Sequence, residues 1–254
     1  MGAWVETCLS RRDTAGRARP GYKPHKISTI EDLYITVNEL FLMGSVMNYG
    51  WFCVLVAIIG EMLIPFVLAP FYKGYSHTTM AISALGNSRS PVRLPFNTWM
   101  LIAGVLFLLS TPAIYNLYSE TSKVLSVLTV SCIALFAVGA CIFSCFFSVG
   151  ENKDVATTAS KIHGAGSAVG FMLMLFVPLF ISMLSFRIGA RALGTIGAIS
   201  FVLAFVCFVL FIMTDKPRFQ NTIIAQEGLW QRLNLLFMYL PLALVAVAEI
   251  KGRI

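Results

Sequence analysis

The sequence predicts an all-α fold: a polytopic membrane protein, a six-transmembrane helix bundle preceded by an amphipathic surface helix. Two observations carry this. Hydrophobic residues fill 57% of the 254 positions and charged residues only 12%, against about 25% charged in an ordinary soluble domain. Six apolar runs also approach the roughly 20 residues that a bilayer core requires. They lie near 51–71, 97–118, 124–149, 163–185, 193–213 and 233–250.

Residues 1–27 carry Arg11, Arg12, Arg17, Arg19, Lys23 and Lys26 together with Pro20 and Pro24, which reads as a basic disordered cytoplasmic arm. No signal-peptide apolar core is evident there. Glu6 occupies the position where a myristoylation site wants Ser or Thr. Ser28-Thr29-Ile30-Glu31 has capping-box spacing. Beyond it Ile30, Leu33, Tyr34, Val37, Leu40 and Phe41 recur at helical spacing opposite Glu31, Asp32, Asn38 and Glu39. Residues 28–49 are therefore expected as an interfacial helix, and 50–254 as the six-helix transmembrane domain.

Tyr72, Trp99, Tyr118 and Trp230 fall near span ends, as interfacial aromatics do. Pro65, Pro112, Pro178 and Pro241 lie inside spans, where each removes a backbone donor and is expected to kink its helix. Lys and Arg number eleven on the side of the termini and eight on the other, which places both termini in the cytoplasm of a cell membrane protein. The net charge of +7 is spread over termini and loops. It reads as a topology signal and an attraction to membrane lipids, with no nucleic acid as partner. Five of the six cysteines sit in apolar runs, where they serve as small buried hydrophobes. Homo-oligomerisation is left open.

The chemistry-bearing stretch is Tyr75-Ser76-His77-Thr78-Thr79-Met80-Ala81-Ile82-Ser83-Ala84-Leu85-Gly86, between the first two spans. A short helix here would be capped by Ser76 and ended by Gly86 in the left-handed conformation. His77, Met80, Ala81 and Ala84 would share one of its faces. Alternating spans bring this loop to the same bundle end as His163 and as Glu227-Gly228-Leu229-Trp230-Gln231-Arg232. The candidate ligand-binding residues are His77, Ser83, Gly86, His163, Gln231 and Arg232. Gly166 and Gly170 form a small-residue pair beside His163, so that histidine either binds a ligand or donates an interhelical hydrogen bond.

Two histidines with Asp154 or Glu151 do not reproduce metal-ligand spacing, so no metal and no cofactor are assigned. Glu61 is an intramembrane carboxyl, either functional or held neutral by a hydrogen bond. Its depth argues against contact with Arg232. Asn234 is read as helix–helix glue.

Tyr75, His77, Ile82, Ser83, Leu85 and Gly86, then His163-Gly164, then Gly228-Leu229 with Gln231-Arg232, follow a recurring pattern. In order and spacing they resemble the motifs of an uncharacterised six-transmembrane bacterial and archaeal domain-of-unknown-function family. That resemblance covers about residues 50–250 and implies a six-helix fold. It is distantly similar to the Frag1/DRAM/Sfk1 membrane proteins, some of which handle lipids, although Ala84 stands where those carry an acidic residue.

The expected function is binding or processing of a lipid or amphiphile in a polar pocket at the outer end of the bundle, with Arg232 on an anionic group. The alternatives are a small-solute or proton transporter with Glu61 in its path, and a non-catalytic scaffold or sensor. Catalysis is left open: Ser83 is the only candidate nucleophile.

Overall fold

A computed structural model describes residues 30–147 and 158–252, with side chains from Tyr49 onward. The chain divides into two units, residues 1–44 and 45–254. In the first, residues 30–44 are helical. The basic arm, Cys8, the side chains of the expected surface helix, Glu151 and Asp154 lie outside the described residues.

Helices dominate and no strand occurs among the described residues. They are α1 (Ile30–Leu68), α2 (Arg93–Tyr118), α3 (Lys123–Phe136), α4 (Phe143–Phe146), α5 (Thr158–Met174), α6 (Val177–Arg187), α7 (Arg191–Met213) and α8 (Glu227–Ile250). Six stretches are long and apolar enough to cross a membrane: Tyr49–Phe71, Arg93–Tyr118, Lys123–Phe146, Thr158–Arg187, Arg191–Met213 and Glu227–Ile250. The last begins well before the expected 233, so Gln231 and Arg232 sit within helix rather than in the loop before it.

Each span shows one face to the bundle and the other outward. Along α1, Trp51, Val54, Ile58, Glu61 and Pro65 are buried at helical spacing, while Phe52, Val56, Ile59 and Leu63 are exposed. In water an apolar surface of this extent would be a liability; in a bilayer it is simply the lipid-facing side. At the centre, Phe107 and Phe136 meet edge to face at 5.7 Å between ring centroids, and Tyr239 lies 5.7 Å from Phe107. Among the interfacial aromatics expected from sequence, Tyr118 is instead fully buried.

Two irregularities shape the interior. The third span widens into a π-helical turn, Ala137–Ile142, between α3 and α4. There Gly139 and Gly166 of α5 touch backbone to backbone, and Gly170 seats against Ala140 and Phe136. The small-residue pair expected on α5 thus allows a close helix approach. The fourth span is broken between α5 and α6 at Leu175–Phe176, just before Pro178, which has no N–H to continue the ladder. Helices run on through Pro65, Pro112 and Pro241. Both halves of the fourth span pack on α3, but α5 also meets the wide turn, whereas α6 also packs on α7 and α8.

A Cβ on Gly139 would lie 2.5 Å from the carbonyl oxygen of Gly166, while one on Gly164 would meet nothing. Gly139→Leu is therefore expected to destabilise the bundle by roughly 1–3 kcal/mol. Gly164→Ala should leave it unchanged. Thermal unfolding in detergent distinguishes the two.

Candidate functional site

The loop after α1 is held down by the first two turns of α8. Gly228 makes the close approach possible: a Cβ there would collide with the carbonyl oxygens of His77 and Met80. The Leu229 N–H donates to the Thr78 carbonyl at 3.0 Å. The Ile82 N–H donates to Gln231 Oε1 at 2.6 Å.

Arg232, only 8% exposed, then spreads its guanidinium under the loop. One terminal nitrogen donates to the carbonyls of His77 (2.7 Å), Met80 (3.4 Å) and Gly228 (2.9 Å). The other donates to the Tyr75 hydroxyl at 2.6 Å and to His77 Nδ1 at 3.2 Å. The Tyr75 hydroxyl in turn donates a hydrogen bond to the Ala81 carbonyl at 3.3 Å. The Phe66 and Tyr75 rings lie near the cation, 5.8 and 5.9 Å from its central carbon. His77 stacks on Phe66 at 4.5 Å. Since guanidinium can only donate, His77 Nδ1 is the acceptor and the neutral ring carries its hydrogen on Nε2.

This geometry sets the two titrating groups of the loop. Burial, then the adjacent Arg232 charge, holds His77 below its ordinary pKa. Burial pushes the Tyr75 phenol up, and Arg232 opposes that shift.

The loop is not the single helix expected from Ser76 to Gly86. It forms a turn at 77–79, with the Thr79 N–H bonded to Ser76 Oγ at 3.3 Å, and then a separate short 3-10 helix, Ile82–Gly86. Ser76 does cap, but it caps a turn. Gly86 is not in the left-handed region; the positive-φ glycines are Gly74, Gly189 and Gly252. Its role is spatial, because a Cβ would strike Asn97 Oδ1 and the Phe96 ring. Asn97 in turn donates to the Cys145 carbonyl at 3.3 Å, tying α2 to the end of α4.

Behind the loop lies a cavity of about 420 Å³, within the size range of small-molecule sites. It occupies the space between α5 and α7, which have no extensive contact because the fourth span is broken. Its apolar wall includes Phe136, Phe171, Met172, Phe208, Phe211 and Ile212. Its polar lining includes Glu61, Ser83, His163, Ser167, Asp215, Glu227 and Gln231, with no Lys or Arg among the described residues.

Glu61 accepts a hydrogen bond from the Trp99 indole N–H at 3.0 Å. Gly60 gives the indole room: a Cβ there would overlap its ring. His163 hydrogen-bonds the Phe147 backbone, and its Nδ1 is buried without a partner.

The sequence candidates therefore fall into two groups. Ser83, His163, Gln231 and Glu61 line one cavity, whereas His77, Gly86 and Arg232 do not. Glu61 bonds Trp99 and Arg232 bonds the loop, so the two do not pair. Asn234 donates to the Ala204 carbonyl at 2.8 Å, an interhelical bond of the kind expected. Trp99 was legible only as an interfacial aromatic. Its one available signal was an indole N–H at membrane depth, which must find an acceptor.

A family model described as "Protein of unknown function (DUF998)" matches residues 41–248. No curated protein and no solved structure matches the chain.

Lysine cannot reproduce the forked donation of Arg232. Arg232→Lys should destabilise the docked loop by about 2 kcal/mol or more, read as faster hydrogen exchange across residues 75–82. A second expectation concerns pH. His77 binds a proton less readily in the folded chain than at its ordinary value of 6.5, so the unfolded state takes up more protons and stability falls as pH drops through that value. Unfolding midpoints measured from neutral to mildly acidic pH should show this decline, and it should shrink in His77→Gln.

Proposed function

We propose, for a chain that belongs to the DUF998 family of proteins of unknown function, that the cavity between α5 and α7 binds a membrane amphiphile. The observation that carries this reading is the composition of one continuous lining. Phenylalanine and methionine side chains from α5 and α7 wall it where the spans face lipid, and hydrogen-bonding groups gather at the loop and at Glu61. Such a surface suits a molecule with an apolar chain and a polar head. Met172 and Ile212, on opposite sides of the gap, are 48% and 49% exposed, so a chain can enter sideways from the bilayer. With both termini cytoplasmic, the loop end faces outward and the ligand comes from the outer leaflet.

Arg232 has a different part from the anion contact that its charge first suggests. Its terminal nitrogens are engaged by loop oxygens and by His77, so it holds the cavity's roof in place. A transport path past Glu61 is less well supported. One turn beyond Leu235, which lines the cavity, Met238, Tyr239 and Leu242 are fully packed.

Native mass spectrometry of gently purified protein tests the proposal. One amphiphile of defined mass should accompany the wild type and be lost from Ala168→Phe, which fills the cavity while its circular dichroism stays unchanged. Bulk lipid alone in both proteins would sink the reading.

A further inference from the structure

We infer that the headgroup taken by this cavity is a protonated amine, an inference that rests on the amphiphile reading above. Glu61 carries the argument. It is only 7% exposed and lines the cavity. Its one protein hydrogen bond among the described residues is the neutral Trp99 indole on Oε1, and none of those residues donates to Oε2. A buried carboxylate in that position is unstable unless a cation or further donors reach it.

Among the described residues neither Lys nor Arg lines the cavity to supply such a cation. Arg232 follows the lining residue Gln231 directly but is committed to the loop carbonyls. An anionic headgroup would enter a chamber with no positive partner and meet Glu61. A primary ammonium brings the missing charge and up to three N–H donors, for Glu61 Oε2 and the hydroxyl and amide oxygens nearby. Asp215 and Glu227 are also in the lining. The apolar wall then takes the chain, so the ligand class is a long-chain amine or an amine-headed lipid.

The test uses the full chain in maltoside micelles and three probes of equal chain length: dodecylamine, dodecanol and dodecyl phosphate. Ala168→Phe serves as the blank for micelle partitioning. Dodecylamine should bind at least about tenfold more tightly than dodecanol, the scale of a hydrogen bond to a charged group, with dodecyl phosphate no better than the alcohol. Glu61→Gln should bring the amine to parity with the alcohol.

Tightest binding of dodecyl phosphate, or an amine preference that survives in Glu61→Gln, would overturn the headgroup assignment and leave the amphiphile reading standing. If none of the three binds above the blank, the amphiphile reading itself fails and the assignment with it. Should Glu61→Gln not fold, the ranking of the three probes on the wild type decides.

Discussion

A guanidinium buried at the edge of a membrane bundle must find acceptors for its donors, because neither lipid nor packed side chains can solvate it. The terminal nitrogens of Arg232 find them in the loop backbone and the Gly228 carbonyl, together with a phenol and an imidazole. This requirement organises the whole loop end of the bundle. Carbonyls of His77 and Met80 have to converge on one point, so the chain turns at 77–79 instead of continuing as helix. Gly228 has to lack a side chain so that those carbonyls can reach the helix. Tyr75 has to place its hydroxyl between the guanidinium and the Ala81 carbonyl. Once these are satisfied, Ala81, Ile82 and Ser83 are set as part of the cavity's lining.

The cavity has an independent origin in the fourth span. A continuous helix from Thr158 to Arg187 would keep one set of neighbours along its length. The break before Pro178 lets α5 settle into the wide turn of the third span, where Gly139 and Gly166 permit backbone contact, while α6 stays against α7. Close packing on one side of α5 is what opens space on the other. The glycines that tighten the bundle on one side of α5 thus lie opposite the cavity. Glu61 reaches that void because it belongs to the buried stripe of α1, and Gly60 beside it admits Trp99.

Roof and chamber divide the polar residues into a set that holds the loop and a set that lines the cavity, although both carry chemistry that suggests binding. Charge alone misleads here. The terminal nitrogens of the buried Arg232 are engaged by its own protein, and the polar groups that line the cavity are carboxyl, hydroxyl, amide and imidazole. A site with that balance prefers a donor over an anion.

The sequence by itself determined the membrane class, the number and order of the six spans though not the starts of the fourth and sixth, the meeting of three motif segments at one bundle end, and the close approach at Gly166 and Gly170. These follow from composition and from periodicity, which are local properties of the chain. Only the tertiary structure decided what the motif residues do. That Arg232 turns to the loop, that Gly86 is excluded from bearing a side chain by Phe96 and Asn97, and that Trp99 caps Glu61 all depend on residues far apart in sequence. A polar side chain at membrane depth announces that it needs a partner, but packing selects which partner it receives. A polar pocket at that end was expected, but its apolar wall between α5 and α7 was out of reach, since a void exists only where two helices fail to meet.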